Sequence, residues 1–545
     1  MTVTPRQRAA LAWVALAAVT AAAFWWVVTI GFLGDDFGYV QRFSQLPLLA
    51  WPRLFVREWS GGIWGFPLRE LRPIAALAFM IDSRIWHLAP AGYHITNLLL
   101  HLGCSGLVML VTRDLVGGRW LPAVGAGLLF AVHPVHTEPV VWITGRVDLL
   151  GTFGFLLAFH ALVRYRATMQ SAWLPAMWVA YAAGIFAKEF CLTLPLMAVL
   201  YEALVPAGRP RTIRATVLPY AGWVAVSLAY YVCRTHAIGP NLGAPALDVL
   251  TKDFWRIVAQ REWVYVGALV WPIAHWLPTA DSQQPEALQW LIRGLALVLL
   301  ASGIGWWRDR QAGARDIRVS LFFLMVWFLV ATLPFVVTYV SARHLYLASA
   351  GVSIGLMAAA ARIVAHRIAF GAVAAVLVVS CAIELQERGT DWRAAATLSR
   401  RVNEAVAATA QRARTGDVLL LDVPEGRRGA WVWAWAVPFA LQPPFQSRDV
   451  ASDMIVLERE NVFFHPEAWD QQPSWAQLRR RAAPAWLVAA ADTNVDVTFI
   501  PEAALTAAVA DPDVALGTSG SFGRLVDAIR GAGVRADQRG RTPEP

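Results

Sequence analysis

The stretch His133-Pro134-Val135-His136-Thr137-Glu138-Pro139-Val140-Val141-Trp142-Ile143-Thr144-Gly145-Arg146-Val147-Asp148-Leu149-Leu150-Gly151 sets two imidazoles, two carboxylates and a guanidinium between apolar runs. A charged side chain at the centre of a membrane helix costs roughly 2.5 to 3.5 kcal/mol on insertion scales, so such a concentration is hard to explain as packing. Its use is a polar cavity for an ion, a phosphate or a sugar. The plainer alternative is a hydrogen-bonded network closing a helix end. His133, His136 and Glu138 also carry donor atoms suited to a divalent metal.

The surrounding composition places this cluster in a membrane. Of 545 residues, 57% are hydrophobic and 16% charged, and mean hydropathy is +0.47, whereas a soluble domain carries roughly 25% charged residues. About eleven segments are long enough to span, given that roughly 20 apolar residues cross the bilayer core. They lie near 10–33, 94–112, 119–133, 139–162, 172–187, 189–205, 215–235, 288–306, 318–338, 345–362 and 367–386. The first has Arg6 and Arg8 before it and is too long for the apolar core of a signal peptide, so it is read as a spanning helix.

Positive charge in short loops stays cytoplasmic. Arg113 and Arg119, Arg164 and Arg166, Arg209 to Arg214, Arg308 to Arg318, and Arg362 with Arg367 occupy every second connection. The opposite connections then face outward, and they hold Asp35 and Asp36, His133 to Glu138, Lys188 and Glu189, and Arg343 to Tyr346. Two apolar stretches break the alternation, 73–88 with Asp82 and Arg84 inside it and 257–278 with Arg261, Glu262 and Pro272. Both are expected to lie along the outer surface as amphipathic helices, and a hairpin over 257–278 would preserve the alternation equally. The net charge of +9 is almost wholly arginine and reflects topology, not nucleic-acid binding. Cys104, Cys191, Cys233 and Cys381 sit in or beside apolar runs without metal-site spacing and read as small core residues.

Past residue 387 the sequence becomes charged and proline-containing, with short apolar runs at Val418–Val423, Trp431–Phe439 and Trp486–Ala491. Bounded runs of that length predict strands. The expected organisation is a helical membrane domain over 1–386 and a small periplasmic α/β domain over 387–545.

Three further clusters carry chemistry. Asp35-Asp36 closes the first helix, and two adjacent carboxylates repel, so one has a raised pKa or a cationic partner; that suits a general base for a hydroxyl. The plainer reading is an acidic helix end in water. Lys188-Glu189 holds one of only two lysines in the chain, a compact charge suited to phosphate or to an opposite charge on a neighbouring helix. Arg343-His344-Leu345-Tyr346 offers a guanidinium for bidentate phosphate recognition beside an interfacial tyrosine.

Taken together, these residues resemble the C-type (GT-C) glycosyltransferases, and among them the protein O-mannosyltransferase-like proteins whose animal members carry tetratricopeptide repeats. The likeness runs over much of 30–350: Asp35-Asp36, Arg72-Pro73, Gly92-Tyr93-His94, Asn97 to His101, the run from His133 to Gly151, Ala187-Lys188-Glu189, and Arg343 to Ser349. It implies a polytopic GT-C fold in an inner membrane, active on the periplasmic side. It also implies a polyprenyl-phosphate-linked sugar as donor, mannose by the family's name, and an acidic residue of the first outer loop as base. Asp35 or Asp36 would then deprotonate a protein or glycan hydroxyl, with inversion at the sugar. His133, His136, Glu138, Arg146, Asp148, Lys188, Glu189, Arg343 and Tyr346 would bind substrate, with His133, His136 and Glu138 the candidate ligands if a divalent metal takes part. The repeats are missing here and a different C-terminal region stands in their place. The competing class is a transporter or flippase for a lipid-linked or anionic substrate, which the same charges would serve; against it stand the lack of an inverted repeat and the gathering of charge at one face.

Overall fold

The computed structural model of the chain describes residues 4–65, 67–205, 212–240, 251–270, 314–335, 339–364, 366–459, 472–480, 483–491, 493–510, 514 and 520–531. Among these, seven helices are long and apolar enough to cross a membrane: Pro5–Thr29, Pro90–Leu115, Ile143–Thr168, Ile213–Ile238, Arg318–Phe335, Ala342–Arg362 and Arg367–Arg412. Shorter apolar helices run over Trp120–Ala131 and Trp173–Ile185, and Leu194–Leu204 adds another. Every expected segment within the described residues contains helix; 288–306 falls outside them. The chain is a multi-pass helical membrane protein with a small C-terminal sheet.

Local chemistry sets several boundaries. Thr4 and Gln7 cap the first helix reciprocally. Prolines open the Pro5, Pro73 and Pro90 helices, where a missing N–H costs nothing. The helix expected from 139 begins only at Arg146, because Pro134 and Pro139 interrupt the ladder. The intervening residues fold as 3-10 turns at Pro134–His136 and Ile143–Gly145 around a short helix, Thr137–Val141. Glycine permits the tightest helix contact: a Cβ on Gly154 would lie 2.6 Å from Gly184 Cα, drawing Arg146–Thr168 against Trp173–Ile185.

The 73–88 stretch is helical over Pro73–Ile85 and packs beside the Asp36–Gln45 helix. It does not simply float on the surface as expected. Ile81 and Ile85 are exposed, but Ala75, Ala76, Phe79, Met80 and Asp82 are buried. Of 257–278, the described part belongs to the Lys252–Val270 helix, and the remainder lies outside the described residues.

The last of these seven, Arg367–Arg412, is continuous over 46 residues and passes through the expected boundary at 386 without a break. Its first half exposes Ile368, Val376, Val379 and Ile383; its second half is charged. Beyond it, a four-stranded sheet has the order Ile455–Glu458, Val418–Asp422, Ala485–Ala491, Asn494–Ile500. The first three strands are parallel and the last is antiparallel to its neighbour. The expected strand at Trp431–Phe439 does not form: only Ala430–Trp431 pairs. Val432 N and Ala434 N both donate to the carbonyl of Glu425, at 2.8 and 3.2 Å, which curls the segment out of any ladder.

Candidate active site

The two adjacent aspartates have different surroundings. Asp36 is fully buried and its carboxylate is tied at both oxygens. Oδ2 accepts from Leu33 N at 3.0 Å, and Oδ1 accepts from Thr144 N at 2.9 Å and Thr144 Oγ at 2.8 Å. Asp36 therefore staples the Leu33–Asp36 turn to the 133–151 stretch. Burial pushes its carboxyl up to about 6, against the pull of those same donors.

Asp35 is half-buried, and its Oδ1, itself buried, accepts no hydrogen bond among the described residues. Burial first, then the Asp36 carboxylate beside it, push the Asp35 carboxyl well above the usual range; Arg343 and Thr144 pull it down and Glu70 adds to the rise. Gly34, at φ +55°, makes the turn that leads into the pair.

Arg146 is a strut. It is fully buried, pairs with Asp82 Oδ2 at 2.7 Å, donates to Asn97 Oδ1 and Tyr93 O at 3.1 Å each, and lies 4.5 Å over the Phe79 ring. Asp82, inside a stretch expected to lie along the surface, is thus buried against Arg146. Its task here is to fasten the Pro73–Ile85 and Pro90–Leu115 helices to the start of Arg146–Thr168.

The imidazoles and Tyr346 are likewise committed. His133 accepts from Val135 N at Nδ1, 3.4 Å, so Nε2 donates to Leu269 O at 3.3 Å. His136 Nε2 lies 2.8 Å from Ser349 Oγ, which in turn donates to Tyr346 O. His101 donates from Nε2 to Ala131 O at 2.9 Å, leaving Nδ1 to accept from the Tyr346 hydroxyl at 2.7 Å. Glu138 accepts from Ser341 Oγ at 2.6 Å and from Arg343 N at 3.3 Å. These bonds tie the helix end together, while His136 Nδ1 is buried without a hydrogen-bond partner among the described residues. His133, His136 and Glu138 do not form a donor set, and no group of three or more His, Cys, Asp or Glu among the described residues is placed to hold a metal.

The cations do converge. Lys188 is paired with Asp148, both almost wholly buried; burial lowers the Lys188 ammonium to about 8 despite that partner. Arg72 bridges two carboxylates, Glu70 at 2.7 Å and Glu189 at 3.2 Å. Burial works upward on both acids, yet Arg72 holds Glu189 below the usual range while Glu70 stays raised. Arg343 lies 4.0 Å from Glu138, stacks 5.0 Å over Trp142 and donates to the Tyr339 hydroxyl. Arg72, Lys188, Glu189 and Arg343 all act electrostatically on Glu70, and Arg343 and Glu70 act on Asp35. Arg72 thus joins Glu70 and Glu189, with Lys188 and Arg343 in electrostatic reach of Glu70, and Arg343 and Glu70 in electrostatic reach of Asp35.

Glu70 and Arg72 were missed as site residues. Their signal was the Glu70-Leu71-Arg72-Pro73 sequence just before an apolar helix, where Arg72 stood only as a matching residue. Trp59 positions Glu70, donating from its indole to Oε2 at 3.0 Å and bonding from its backbone N to Glu70 O at 3.0 Å.

Between the Arg146–Thr168 and Trp173–Ile185 helices lies an apolar groove of about 310 Å³. Ile74 stands at one end; Leu150, Phe153 and Leu157 form one wall, and Ala176, Val179 and Ala183 the other.

No protein-family profile matches the chain. The chain is similar to protein O-mannosyl-transferases: to Tmtc2 of Drosophila melanogaster, 34% identical over 162 residues, covering 27% of this chain and 17% of that protein. It is 30% identical to human TMTC3 over 200 residues, 35% of this chain and 21% of that protein. The chain thus spans about a fifth of the length of the curated relatives it matches. Among solved structures, ArnT from Cupriavidus metallidurans bound to undecaprenyl phosphate aligns over 90% of this chain and 97% of its own, with 14% identity and a TM-score of 0.40. The Archaeoglobus fulgidus oligosaccharyltransferase in the apo form aligns over 75% of this chain and 62% of its own, with 13% identity and a TM-score of 0.43.

Proposed function

We propose that the chain is an inverting glycosyltransferase that moves a sugar, mannose in the first instance, from a polyprenyl-phosphate carrier to an acceptor hydroxyl on the periplasmic side of a bacterial-type inner membrane. The observation that supports this reading is Asp35: a carboxylate with a buried oxygen that accepts no hydrogen bond among the described residues, in electrostatic reach of Arg343 and of Glu70, which is itself paired with Arg72. The similarity to O-mannosyl-transferases supplies the reaction class.

In this mechanism Asp35 Oδ1 accepts the proton of the acceptor hydroxyl as its oxygen forms a bond to the anomeric carbon. The bond from that carbon to the phosphate oxygen breaks, and its electron pair leaves on polyprenyl phosphate. Displacement from the opposite face inverts the sugar. Arg72, Lys188 and Arg343 stabilise the charge gathering on the phosphate, where fixed cations in a water-poor site need no reorganisation. The apolar groove suits the first isoprene units of the carrier. Because His133, His136 and Glu138 do not form a donor set, no step is routed through a metal.

The test is the full chain in proteoliposomes with synthetic polyprenyl-phosphate mannose labelled in the sugar, incubated with envelope material from a host lacking the chain. Labelled glycan or glycoprotein together with released polyprenyl phosphate, both lost in Asp35→Asn, is the expected result. Movement of the intact lipid-linked sugar across the bilayer without bond cleavage would replace this reading with a flippase.

A further inference from the structure

The proposed chemistry gives the C-terminal region no role, yet its Glu425–Phe445 stretch sits on the turn that bears Asp35. Gly34 N donates to Val432 O at 3.1 Å, immediately before the aspartate pair. A Cβ on Gly34 would lie 2.9 Å from Ala434 O, so the approach is backbone to backbone. Phe445 meets Phe32 edge-on with ring centroids 5.6 Å apart and Phe37 at 4.9 Å, one on each side of the pair. Two side-chain bonds tie the same stretch to the first outer loop: Gln41 Nε2 donates to Pro443 O at 2.6 Å and the Trp64 indole to Trp435 O at 3.1 Å.

We propose that this stretch is a positioning element for the Asp35 carboxylate, its Val432 carbonyl and Phe445 ring holding the Gly34–Phe37 turn in the geometry that proton transfer from the acceptor requires. The inference rests on the glycosyl-transfer reading above. Asp36 is fastened from below by Leu33 and Thr144, which fixes one side of the turn. The strap fixes the other. The curl imposed by Glu425 O, which accepts from both Val432 N and Ala434 N, is what presents the Val432 carbonyl to Gly34. A displacement of about 1 Å at such a group costs up to 10²-fold in rate.

The readouts are kcat, donor affinity and the pH profile, measured on the full chain in proteoliposomes with polyprenyl-phosphate mannose and the envelope acceptor fraction. Phe445→Ala is expected to lower kcat about tenfold or more, with the Kd for polyprenyl-phosphate mannose, followed by tryptophan fluorescence, changed less than about twofold. The charged groups facing Asp35 are Asp36 on its own turn, Glu70 from the first outer loop and Arg343 from the connection before the Tyr346–Ile363 helix. Loosening the strap leaves these in place but admits water, so the acid limb of kcat/KM moves to lower pH. Phe445→Leu should restore most of the rate, and Gln41→Ala should give a milder version of the same pattern should Phe445→Ala fail to fold. Wild-type kcat and pH profile in folded Phe445→Ala and Gln41→Ala would overturn the positioning role alone. Absence of transfer by the wild-type chain would instead remove the transferase reading and this inference with it.

Discussion

Asp35→Asn and Asp36→Asn, one position apart, should separate activity from stability. In Asp36→Asn, an amide replaces a carboxylate that accepts from Leu33 N, Thr144 N and Thr144 Oγ. An amide has one accepting oxygen, and its NH2 turned toward a backbone N–H repels it. Hydrogen bonds to charged groups contribute about 1.5 to 3 kcal/mol each, so losing one or two gives roughly 2 to 4 kcal/mol of destabilisation, reduced by relief of the desolvated charge. In Asp35→Asn, Oδ1 has no bond to lose among the described residues, and removing a desolvated charge leaves stability unchanged or raised. Loss of a general base costs about 10² to 10⁴ in rate, which is roughly 2.7 to 5.4 kcal/mol in the barrier. The assay pairs thermal unfolding of the purified full chain in detergent with mannose transfer in proteoliposomes. An Asp35→Asn variant that retains transfer, or an Asp36→Asn variant as stable as wild type yet inactive, would refute the division of roles.

The acid limb of kcat/KM should lie above the ordinary carboxylate range, because the base must be deprotonated and the Asp35 pKa is raised. Arg343→Gln removes a cation that lowers that pKa and should shift the limb to still higher pH, read from the full pH profile. Lys188→Met leaves Asp148 buried without its partner and should cost about 3 to 5 kcal/mol; adding Asp148→Leu should recover much of it, as a double-mutant cycle in thermal unfolding would show. Ala183→Phe, which fills the apolar groove, should raise KM at least about fivefold for a long-chain polyprenyl-phosphate mannose and much less for a donor cut to two isoprene units.

Much of the membrane architecture was legible because its signal is local. Apolar length and alternating arginines depend on nothing distant, and they located the seven described helices long and apolar enough to cross a membrane and the shorter ones at Trp120–Ala131 and Trp173–Ile185. The expectation that Asp35, Lys188, Glu189 and Arg343 share a face came from placing alternate connections on one side of the membrane. Division of labour within the site was not legible. Nothing in an Asp-Asp pair says which carboxylate Thr144 will hold, since that bond spans more than a hundred residues and depends on the 3-10 turn at Ile143–Gly145. Asp82 looked like the polar side of a surface helix because its counter-ion, Arg146, lies far along the chain. For the same reason Arg146 read as a ligand group and proved to be a strut. Trp431–Phe439 has the composition of a strand, but its hydrogen bonds go to Glu425 O and Gly34 N, and no local pattern reports those.

The Arg367–Arg412 helix has a practical consequence for anyone who would exchange parts of this protein. At 1.5 Å per residue its 46 residues make a rod of about 69 Å, more than twice the roughly 30 Å of a bilayer's hydrocarbon. A chimera joined at the change of composition near 386 would be cut in mid-rod, where a one-residue error in register rotates everything downstream by about 100°. Joined after Ala413, where the helix ends, a donor's C-terminal portion would inherit the stalk intact. It would then be judged on its surface alone.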